Sequence, residues 1–502
     1  MFYKKPLLFK NFKTIKLKIS NFFKDVNCDV DEASLPIDVP KISYNFRHNN
    51  GTLKTGIGFE ELKLLNSESS TTEHTLTFVN TPTAINKVWL YPYYNTLTKE
   101  KDNILLISAD DKLFYCELVS SAPIIYDILN EVTFTSIPNA IYYNLNGEDV
   151  MLVTSETDGM LVYHPINVNS LLSDAPKITS MCKHYDRIFA IQSGKRTQLV
   201  YSDNLDPTNW TENETKHIDM SDEKGALIKV VNFNDYVYIF KEYGVSKLSA
   251  YGSQSDFAIS DLFVTSGKIF ANSVCLCGDK IIFLAKDGLY SFNGYSSSKI
   301  STTFEGLFKG IDNENCCSAY FNGKYYLAAK LAFDDSETVG CENYSDGFVN
   351  NALLEYDMKT GAIEIVRGVD IKSMCAIEYG KTNKLVFAFN GEYKNKLAQL
   401  ANNGKLFSTN LKKAWFSAFS NFGYPAKQKK IKKINLLAKQ PCKVVVRTDK
   451  FEQEYDVNGT SKTTTILPNL EGEMFQIGFI SELDIAQISN AEIEVSLSLI
   501  HI

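Results

Sequence analysis

Residues 280–292 read Lys-Ile-Ile-Phe-Leu-Ala-Lys-Asp-Gly-Leu-Tyr-Ser-Phe, which is two apolar runs separated by Lys286-Asp287-Gly288. Asp and Gly between apolar runs are typical of a tight turn in a β-hairpin, because both residues accept turn backbone conformations. The stretch therefore predicts two antiparallel strands joined by a short turn. Related strand pairs occur throughout the middle of the chain, and their first strands begin at Ile104, Val150, Arg187, Tyr236, Lys280, Lys324 and Lys384.

The spacing of these pairs indicates an internal repeat. Successive starts are 46, 37, 49, 44, 44 and 60 residues apart. A period near 45 residues that contains only strands is typical of a β-propeller, with one four-stranded blade per repeat. The sequence predicts an all-β fold with a β-propeller of about seven blades, although six or eight blades also fit. An open β-solenoid or stacked sandwiches is the alternative architecture.

The predicted propeller covers residues 36–405 and is flanked by two further segments. An acidic, polar stretch at 333–350 explains the longest interval as an insertion loop. Residues 406–502 carry alternating strand patterns and predict a C-terminal β-sandwich. Residues 1–35 are predicted to form an extended N-terminal arm, with seven lysines and no acidic residue in the first 24 positions.

The arm contains apolar residues that suit contact with another protein. They recur at helical spacing, although the alternation at residues 15–19 suits a strand equally well. We expect these residues to dock on a protein partner; binding to an anionic membrane surface is the alternative. The predicted docking residues are Leu8, Phe12, Ile15, Ile19 and Phe22.

A second lysine cluster opens the predicted sandwich. Its simplest interpretation is a charged edge strand that prevents strand-to-strand aggregation. Contact with DNA phosphates or with an acidic neighbour is the alternative. The cluster comprises Lys427, Lys429, Lys430, Lys432 and Lys433.

The segment from Val200 to Trp210 predicts a structural turn. Asp side chains close turns by accepting backbone N–H groups, Pro fixes φ, and a Trp ring covers the result. The segment partly matches the Asp-box of sialidases but lacks its glycine. The turn residues are Ser202, Asp203, Asp206, Pro207 and Trp210.

Composition and motifs argue against an enzyme. The net charge is −7, which disfavours nucleic-acid binding over the whole surface. The ten cysteines lack zinc spacing, and no nucleophile elbow, phosphate loop or dinucleotide fingerprint occurs. No apolar run is long enough for a membrane helix. We therefore expect no catalytic residues, no cofactor, no metal and no membrane association.

Three motifs resemble bacteriophage virion propellers of the DNA-stabilisation and tail nozzle type. The segment Tyr201-Ser-Asp-x-x-Asp-Pro-x-x-Trp210 is similar to a strand and turn of that family. Asn50 to Gly58 resembles its entry segment, and Phe422-Gly-Tyr-Pro with the following lysines resembles the opening of its terminal sandwich. Asn421 and Tyr424 depart from the commonest form of that opening.

The resemblance implies a non-enzymatic structural protein of the virion, assembled in the host cytoplasm. Such a protein forms a ring, expected to be hexameric, at the head–tail connector or tail nozzle. It extends the portal channel, docks portal, adaptor or tail proteins, and touches channel DNA only transiently. The alternative function is a carbohydrate-binding or glycoside-cleaving propeller for receptor recognition.

Overall fold

The protein is described by a computed structural model in which strands account for 57% of the described residues and helix for 4%. The predicted all-β class is confirmed. The structure describes residues 13–19, 22, 26–49, 51–65, 72–95, 99–118, 124–127, 132–165, 169–210, 216–333, 347–379, 382–425, 427–460 and 462–497. Most of the predicted insertion loop at 333–350 and the docking residues Leu8 and Phe12 lie outside these ranges.

Eight strands precede the repeated part of the chain. They are β1 (Lys13–Ile19), β2 (Pro40–Tyr44), β3 (Phe46–Asn49), β4 (Thr52–Thr55), β5 (Gly58–Glu61), β6 (Lys63–Leu65), β7 (Glu73–Thr75) and β8 (Thr77–Phe78).

Seven small sheets follow in chain order, and we call them together the seven-sheet array. Each pairs consecutive strands antiparallel. Sheet 1 contains β9 (Ile85–Asn95), β10 (Glu100–Ala109), β11 (Lys112–Glu117) and β12 (Ile124–Asp127); sheet 2 contains β13 (Asn139–Leu145), β14 (Glu148–Thr154), β15 (Met160–Tyr163) and β16 (Ser170–Leu172); sheet 3 contains β17 (Ile178–His184), β18 (Arg187–Gln192), β19 (Gln198–Tyr201) and β20 (His217–Asp219); sheet 4 contains β21 (Leu227–Phe233), β22 (Tyr236–Lys241), β23 (Gly244–Ser249) and β24 (Ala258–Val264).

The remaining three sheets have the same plan. Sheet 5 contains β25 (Cys275–Cys277), β26 (Lys280–Ala285), β27 (Gly288–Phe292) and β28 (Ser297–Lys299); sheet 6 contains β29 (Cys317–Phe321), β30 (Lys324–Ala329), β31 (Ala352–Asp357) and β32 (Ile363–Arg367); sheet 7 contains β33 (Ile371–Tyr379), β34 (Thr382–Phe389) and β35 (Leu397–Ala401). Short 3₁₀ helices span Glu32–Ser34, Gln254–Asp256, Ala271–Ser273, Glu305–Phe308 and Gly391–Tyr393.

The seven predicted strand pairs are the second and third strands of these seven sheets. In sheet 5, Ala285 pairs with Gly288 around the quoted turn. A backbone bond recurs beside this turn: Lys286 N donates to Lys268 O at 2.8 Å, and Asp110 N in sheet 1 donates to Ala84 O at 2.8 Å. The repeated bond fixes each central hairpin against the segment that enters its own sheet.

The array returns to its starting point. First strands of neighbouring sheets contact each other, as β13 contacts β17 and β29 contacts β33. The first strand of sheet 7, β33, also contacts β9 of sheet 1. Sheet 7 is completed from the other end of the chain, because β5 pairs with β35 through Glu61 and Ala398. A segment before sheet 1 thus provides the fourth strand of the last sheet.

The remaining strands lie near the C-terminus. They are β36 (Lys405–Leu406), β37 (Thr409–Asn410), β38 (Lys413–Ser417), β39 (Lys429–Ala438), β40 (Cys442–Thr448), β41 (Glu452–Val457), β42 (Thr464–Ile466), β43 (Leu470–Gly472), β44 (Phe475–Ser481) and β45 (Gln487–Leu497). The strands β36 and β37 extend sheet 7, and the others form two larger sheets.

The two larger sheets draw strands from both ends of the chain. One sheet has the order β3-β4-β45-β39-β42, with β1 also on β45 and β43 on β39; the other has the order β2-β38-β44-β40-β41. Residues of both sheets, including Ile434 and Val444, share one core. This arrangement differs from the predicted division at residues 36 and 406, because residues 13–55 pair with strands beyond 413. We call residues 13–55 and 413–497 together the terminal unit.

The terminal unit is fastened to sheet 6 of the array. Asn45 has φ of 59°, which lets its backbone N donate to Ile365 O at 2.9 Å. Its side-chain Nδ2 donates to Arg367 O at 3.0 Å. A continuous apolar core joins Phe416 of the terminal unit to Leu354 of sheet 6. Apolar burial and specific polar contacts therefore hold the two parts together.

Candidate functional site

The described part of the predicted docking arm belongs to the terminal unit. Strand β1 pairs antiparallel with β45, and Ile15 lies opposite Val495. Ile19 and Phe22 are fully buried. The prediction that these two residues bind a partner is therefore wrong. Residues 15–19 form a strand and not a helix, because their alternation places apolar residues on the core side of the sheet.

Phe22 occupies an aromatic cluster in the terminal unit. Its ring lies edge-on to Trp415, with centroids 5.2 Å apart, and to Phe479 at 6.0 Å. The backbone carbonyl of Phe22 also contacts His48 Nδ1. Phe22 thus anchors the N-terminal segment inside this chain.

The second lysine cluster does not lie on an edge strand. It opens β39, which is flanked by β45 on one side and by β42 and β43 on the other. Lys429 is buried, and its Nζ donates to Lys427 O at 2.6 Å and Glu473 O at 2.7 Å. Lys430 pairs with Glu471 at 3.2 Å, and Lys433 lies beside Glu494 in the register. Lys432 is half-buried in the same strand.

The prediction that this cluster protects an exposed sheet edge from aggregation is therefore wrong. Two of the five lysines have an acidic neighbour, Glu471 beside Lys430 and Glu494 beside Lys433, which offsets part of the positive charge of the cluster. Lys16 on the neighbouring strand β1 pairs with Glu492 at 3.4 Å. The lysines instead belong to a ladder of mixed charge across one sheet, which suits packing of long side chains over a strand surface.

The segment ending at Trp210 forms a compact turn in sheet 3. Asp206 Oδ1 accepts from Thr208 N at 3.0 Å, and Trp210 Nε1 donates to Pro207 O at 2.8 Å. Ser202 Oγ accepts from Ile188 N at 3.0 Å, and Asp203 pairs with Lys216. Trp210 itself is buried among apolar residues of sheets 2 and 3. The segment is a fold element, which is the role the sequence predicts.

Exposed tyrosines gather at one end of sheets 3, 4 and 5. Tyr185 lies in the turn between β17 and β18, and its hydroxyl donates to the Tyr251 hydroxyl at 2.5 Å. Lys247 Nζ lies 4.4 Å from the Tyr236 ring centroid and 5.4 Å from that of Tyr295. Tyr251 and Tyr295 are 60% and 71% exposed. We call Tyr185, Tyr236, Tyr251, Tyr295 and Lys247 the tyrosine face.

A polar belt joins the first strands of the array near their opposite end. In sheets 1, 3, 4 and 7, the first strand has a bulge near its start. Just after this bulge, one residue of the first strand pairs with the next-to-last residue of the second strand of the same sheet. These residues are Lys87, Ser180, Lys229 and Ser373. Bulges bend a strand and redirect side chains. The repeated position brings these four residues to one level of the array.

Side-chain hydrogen bonds of the belt connect neighbouring sheets. Lys372 Nζ donates to Asn86 Oδ1 at 2.7 Å, and Lys87 Nζ donates to Asn139 Oδ1 at 2.5 Å. Asn139 Nδ2 then donates to Thr179 O at 2.9 Å. The belt therefore runs from sheet 7 through sheets 1 and 2 to sheet 3.

Burial lowers the pKa values of the lysines in the belt. Burial, with a smaller contribution from the Lys229 ammonium, lowers the pKa of Lys87 to about 7. Burial also lowers the pKa of Lys229 and of Lys372. Desolvation disfavours the charged form of a lysine, as does a second positive charge. No sequence motif marks these residues, although each is a lone lysine near the start of an apolar strand.

An apolar cleft lies between the terminal unit and the array. Its volume is about 160 Å³, and its lining includes Val26, Ile42, Leu307, Phe333 and Ile365. Among the residues that the structure describes, no group of three His, Cys, Asp or Glu side chains is placed to hold a metal ion. Within the same part of the chain, no helix is long and apolar enough to cross a membrane.

Comparison with known proteins gives no family for this chain. No family model matches it, and no curated protein does. A solved structure of BBS1N in complex with ARL6DN is 10% identical over 64% of this chain and 93% of that chain, with a TM-score of 0.38. PorZ, a surface component of the type-IX secretion system of Porphyromonas gingivalis, is 10% identical over 75% of this chain, with a TM-score of 0.40. The match spans 46% of the PorZ chain, and neither likeness carries an argument about function.

Proposed function

We propose that the seven-sheet array is a seven-bladed β-propeller and that the terminal unit is a β-sandwich. The contact between β33 and β9 supports a closed circle of sheets. The strand β5 supports it independently, because closing a propeller with a strand from the opposite end of the chain ties the two ends together. The shared core of the two larger sheets supports the sandwich.

We further propose that this chain is a non-enzymatic structural protein of a bacteriophage virion. It acts as a ring subunit, hexameric by resemblance, at the head–tail connector or the tail nozzle. Its partners are portal, adaptor or tail proteins, with transient contact to channel DNA and no membrane. The proposal rests on the resemblance of the Tyr201–Trp210 turn, the entry segment and the sandwich opening to that family.

The observation that supports this role best is the rigid fastening of the terminal unit to the array. Both ends of the described chain belong to the terminal unit, and Asn45 and Arg47 join it to sheet 6 through hydrogen bonds and ion pairs. A ring subunit must hold its docking surfaces in a fixed relation. Polar contacts over a shared apolar core provide that rigidity.

Two measurements test the virion role. Mass spectrometry of purified particles that carry this gene should find the chain in amounts fitting a ring, and the purified chain should assemble into oligomers in solution. A chain absent from the particles would overturn the virion proposal. A monomer that cleaves a glycan would overturn both the structural and the non-enzymatic parts.

The tyrosine face favours a second candidate, a carbohydrate-binding propeller for receptor recognition. Exposed tyrosine rings offer apolar faces and hydroxyl groups side by side, a combination suited to sugar rings. Glycan-array binding by the wild-type chain that is lost in Tyr251→Ala and Tyr295→Ala would support this candidate. Equal signals from wild type and variants would remove it.

A further inference from the structure

The outer strand of sheet 4 has an open edge. Strand β24 pairs with β23 on one side, and no strand in the described part of the chain pairs with its other side. It spans seven residues, and its bulge at Leu262 leaves residues 258–261 in regular register. An unpaired edge presents a row of backbone N–H and C=O groups, to which an extended segment of another chain can add as a further strand.

The other outer edges of the array are short or covered. The outer strands of sheets 2, 3 and 5 are each three residues long. In sheet 1, β12 pairs with β8; in sheet 6, β32 contacts β2 and β3 of the terminal unit; in sheet 7, β5 pairs with β36. Proteins commonly protect sheet edges in these two ways. Sheet 4 is therefore the exception within the array.

The strand β24 carries apolar side chains in place of edge protection. It contains no lysine and no proline, and Ile259 and Val264 are 43% and 63% exposed. Tyr243 and Tyr251, in the loops beside it, are 39% and 60% exposed. Thr265 N donates to Tyr243 O at 2.9 Å, which places Tyr243 at the end of β24. Exposed apolar residues along an open edge are typical of a surface that another chain covers.

The exposed charge beside this edge is acidic. Asp256 and Asp261 are exposed. Lys224, which pairs with Asp261 at 2.8 Å, is buried, and so is Lys241. Lys247 lies against the rings of the tyrosine face. A segment that suits this edge should therefore be both apolar and basic.

Residues 1–12 of this chain, which lie outside the described residues, have that composition. They read Met-Phe-Tyr-Lys-Lys-Pro-Leu-Leu-Phe-Lys-Asn-Phe, with three lysines and no acidic residue. Pro6 lacks a backbone N–H, so residues 7–12 are the run best suited to pairing with a strand. This run is long enough to cover the regular part of β24.

The position of this run favours a neighbouring copy over its own chain. Phe12 is followed directly by Lys13, which lies opposite Leu497 in the terminal unit. Because no linker separates the run from β1, an edge that it covers must lie beside the start of β1. The terminal unit is fastened to sheet 6 of its own chain, whereas β24 belongs to sheet 4. A second copy can present its sheet 4 at that place.

We propose that residues 7–12 of one copy add as a strand to the open edge of β24 in a neighbouring copy. This inference deepens the proposed ring assembly and rests on it, because it names the two surfaces that join the subunits. The two surfaces differ, and a head-to-tail contact of this kind generates a ring when its rotation closes. The added strand continues directly into β1, so the junction has no flexible linker.

Sedimentation of the full chain and of three variants tests the proposal. Val264→Lys places a charge on the open edge, with Ile259→Lys as the second edge variant if Val264→Lys fails to fold. Leu8→Asp places a charge in the run that covers the edge. Leu171→Lys is the matched control, because Leu171 is 48% exposed in the outer strand of sheet 2. An equimolar mixture of Val264→Lys and Leu8→Asp contains one intact run and one intact edge, which allows a single junction.

We expect the wild type and Leu171→Lys to sediment as the same closed oligomer. Val264→Lys and Leu8→Asp should each sediment as a single chain of 56.5 kDa, and their mixture should form a dimer of twice that mass. Assembly of either single variant like the wild type, or a mixture that stays monomeric, would overturn the strand addition and leave the ring proposal in place. A wild type that stays monomeric at every concentration would overturn the ring proposal as well.

Discussion

Arg47 of strand β3 donates through Nε to Glu364 Oε2 of sheet 6 at 2.8 Å. Its other end approaches Glu355 Oε1 at 3.3 Å. Glu355 is buried, and Lys324 also pairs with it. One guanidinium from the terminal unit thus satisfies two carboxylates of the array, a task for which the planar fork of arginine is suited.

Loss of this guanidinium should destabilise the protein. Removing one partner of a fully buried ion pair costs ~3–5 kcal/mol, because the other charge is left unpaired. The Arg47 side chain is 27% exposed, so water would compensate in part. We expect Arg47→Met to lower the free energy of unfolding by about 2 kcal/mol, as measured by urea denaturation.

The matched control is Lys430→Ala, which removes the more exposed pair with Glu471. Exposed pairs contribute little, so this variant should remain within ~1 kcal/mol of wild type. Equal effects of the two substitutions would contradict the role of Arg47 in joining the two parts.

Phe22 should matter as a core residue of the terminal unit. Its truncation leaves a cavity beside Trp415 and Phe479. We expect Phe22→Ala to cost ~3–5 kcal/mol in chemical denaturation. Phe451 is 61% exposed, and Phe451→Ala should change stability by less than ~0.5 kcal/mol. A near-neutral Phe22→Ala would return Phe22 to the docking role.

Two substitutions of Trp210 distinguish the contribution of its packing from that of its hydrogen bond. Trp210→Phe keeps much of the buried ring but loses the bond from Nε1 to Pro207 O, which should cost ~1 kcal/mol. Trp210→Ala loses the packing as well and should cost ~3–5 kcal/mol. Thermal unfolding followed by circular dichroism distinguishes the two. If both variants match wild type, the turn is not a fold element.

The stability of the array should depend on pH through Lys87. Its pKa falls from an ordinary 10.5 to about 7 in the folded chain, with Lys229, Cys317 and Asn139 as its neighbours. Between these values the unfolded chain binds more protons, so the free energy of unfolding rises with pH. Lys87→Met should flatten this rise and be more stable than wild type near pH 7 in phosphate-free buffer. Parallel curves for wild type and variant across this range would contradict the assignment.

Local signals account for the parts of the fold that the sequence predicts well. The hairpin around Lys286-Asp287-Gly288 is encoded by adjacent residues, whereas in sheet 6 residues 330–351 separate the two paired strands. Pairings between distant segments carry no such signal: nothing near Glu61 indicates that it pairs with Ala398, or that Lys13 pairs with Leu497. For that reason the arm and the domain boundaries were the weakest predictions.

The candidate sites were harder to predict for a related reason. The burial of Lys429 depends on carbonyls supplied by Lys427 and Glu473, which only the folded sheet brings together. Lys87 and Lys229 lie in sheets 1 and 4, and their equivalent positions after a bulge follow from the strand register, which no local sequence motif marks. The Trp210 turn was predictable because the bonds that close it, from Thr208 N to Asp206 and from Trp210 Nε1 to Pro207 O, join residues two and three positions apart.

The mass of the purified full chain in solution tests the central proposal most directly. One chain has a mass of 56.5 kDa. A structural ring subunit should sediment as a closed oligomer, and a hexamer is the species that the resemblance implies. A single species at the mass of one chain at every concentration, with glycan cleavage in the same preparation, would contradict the structural ring role.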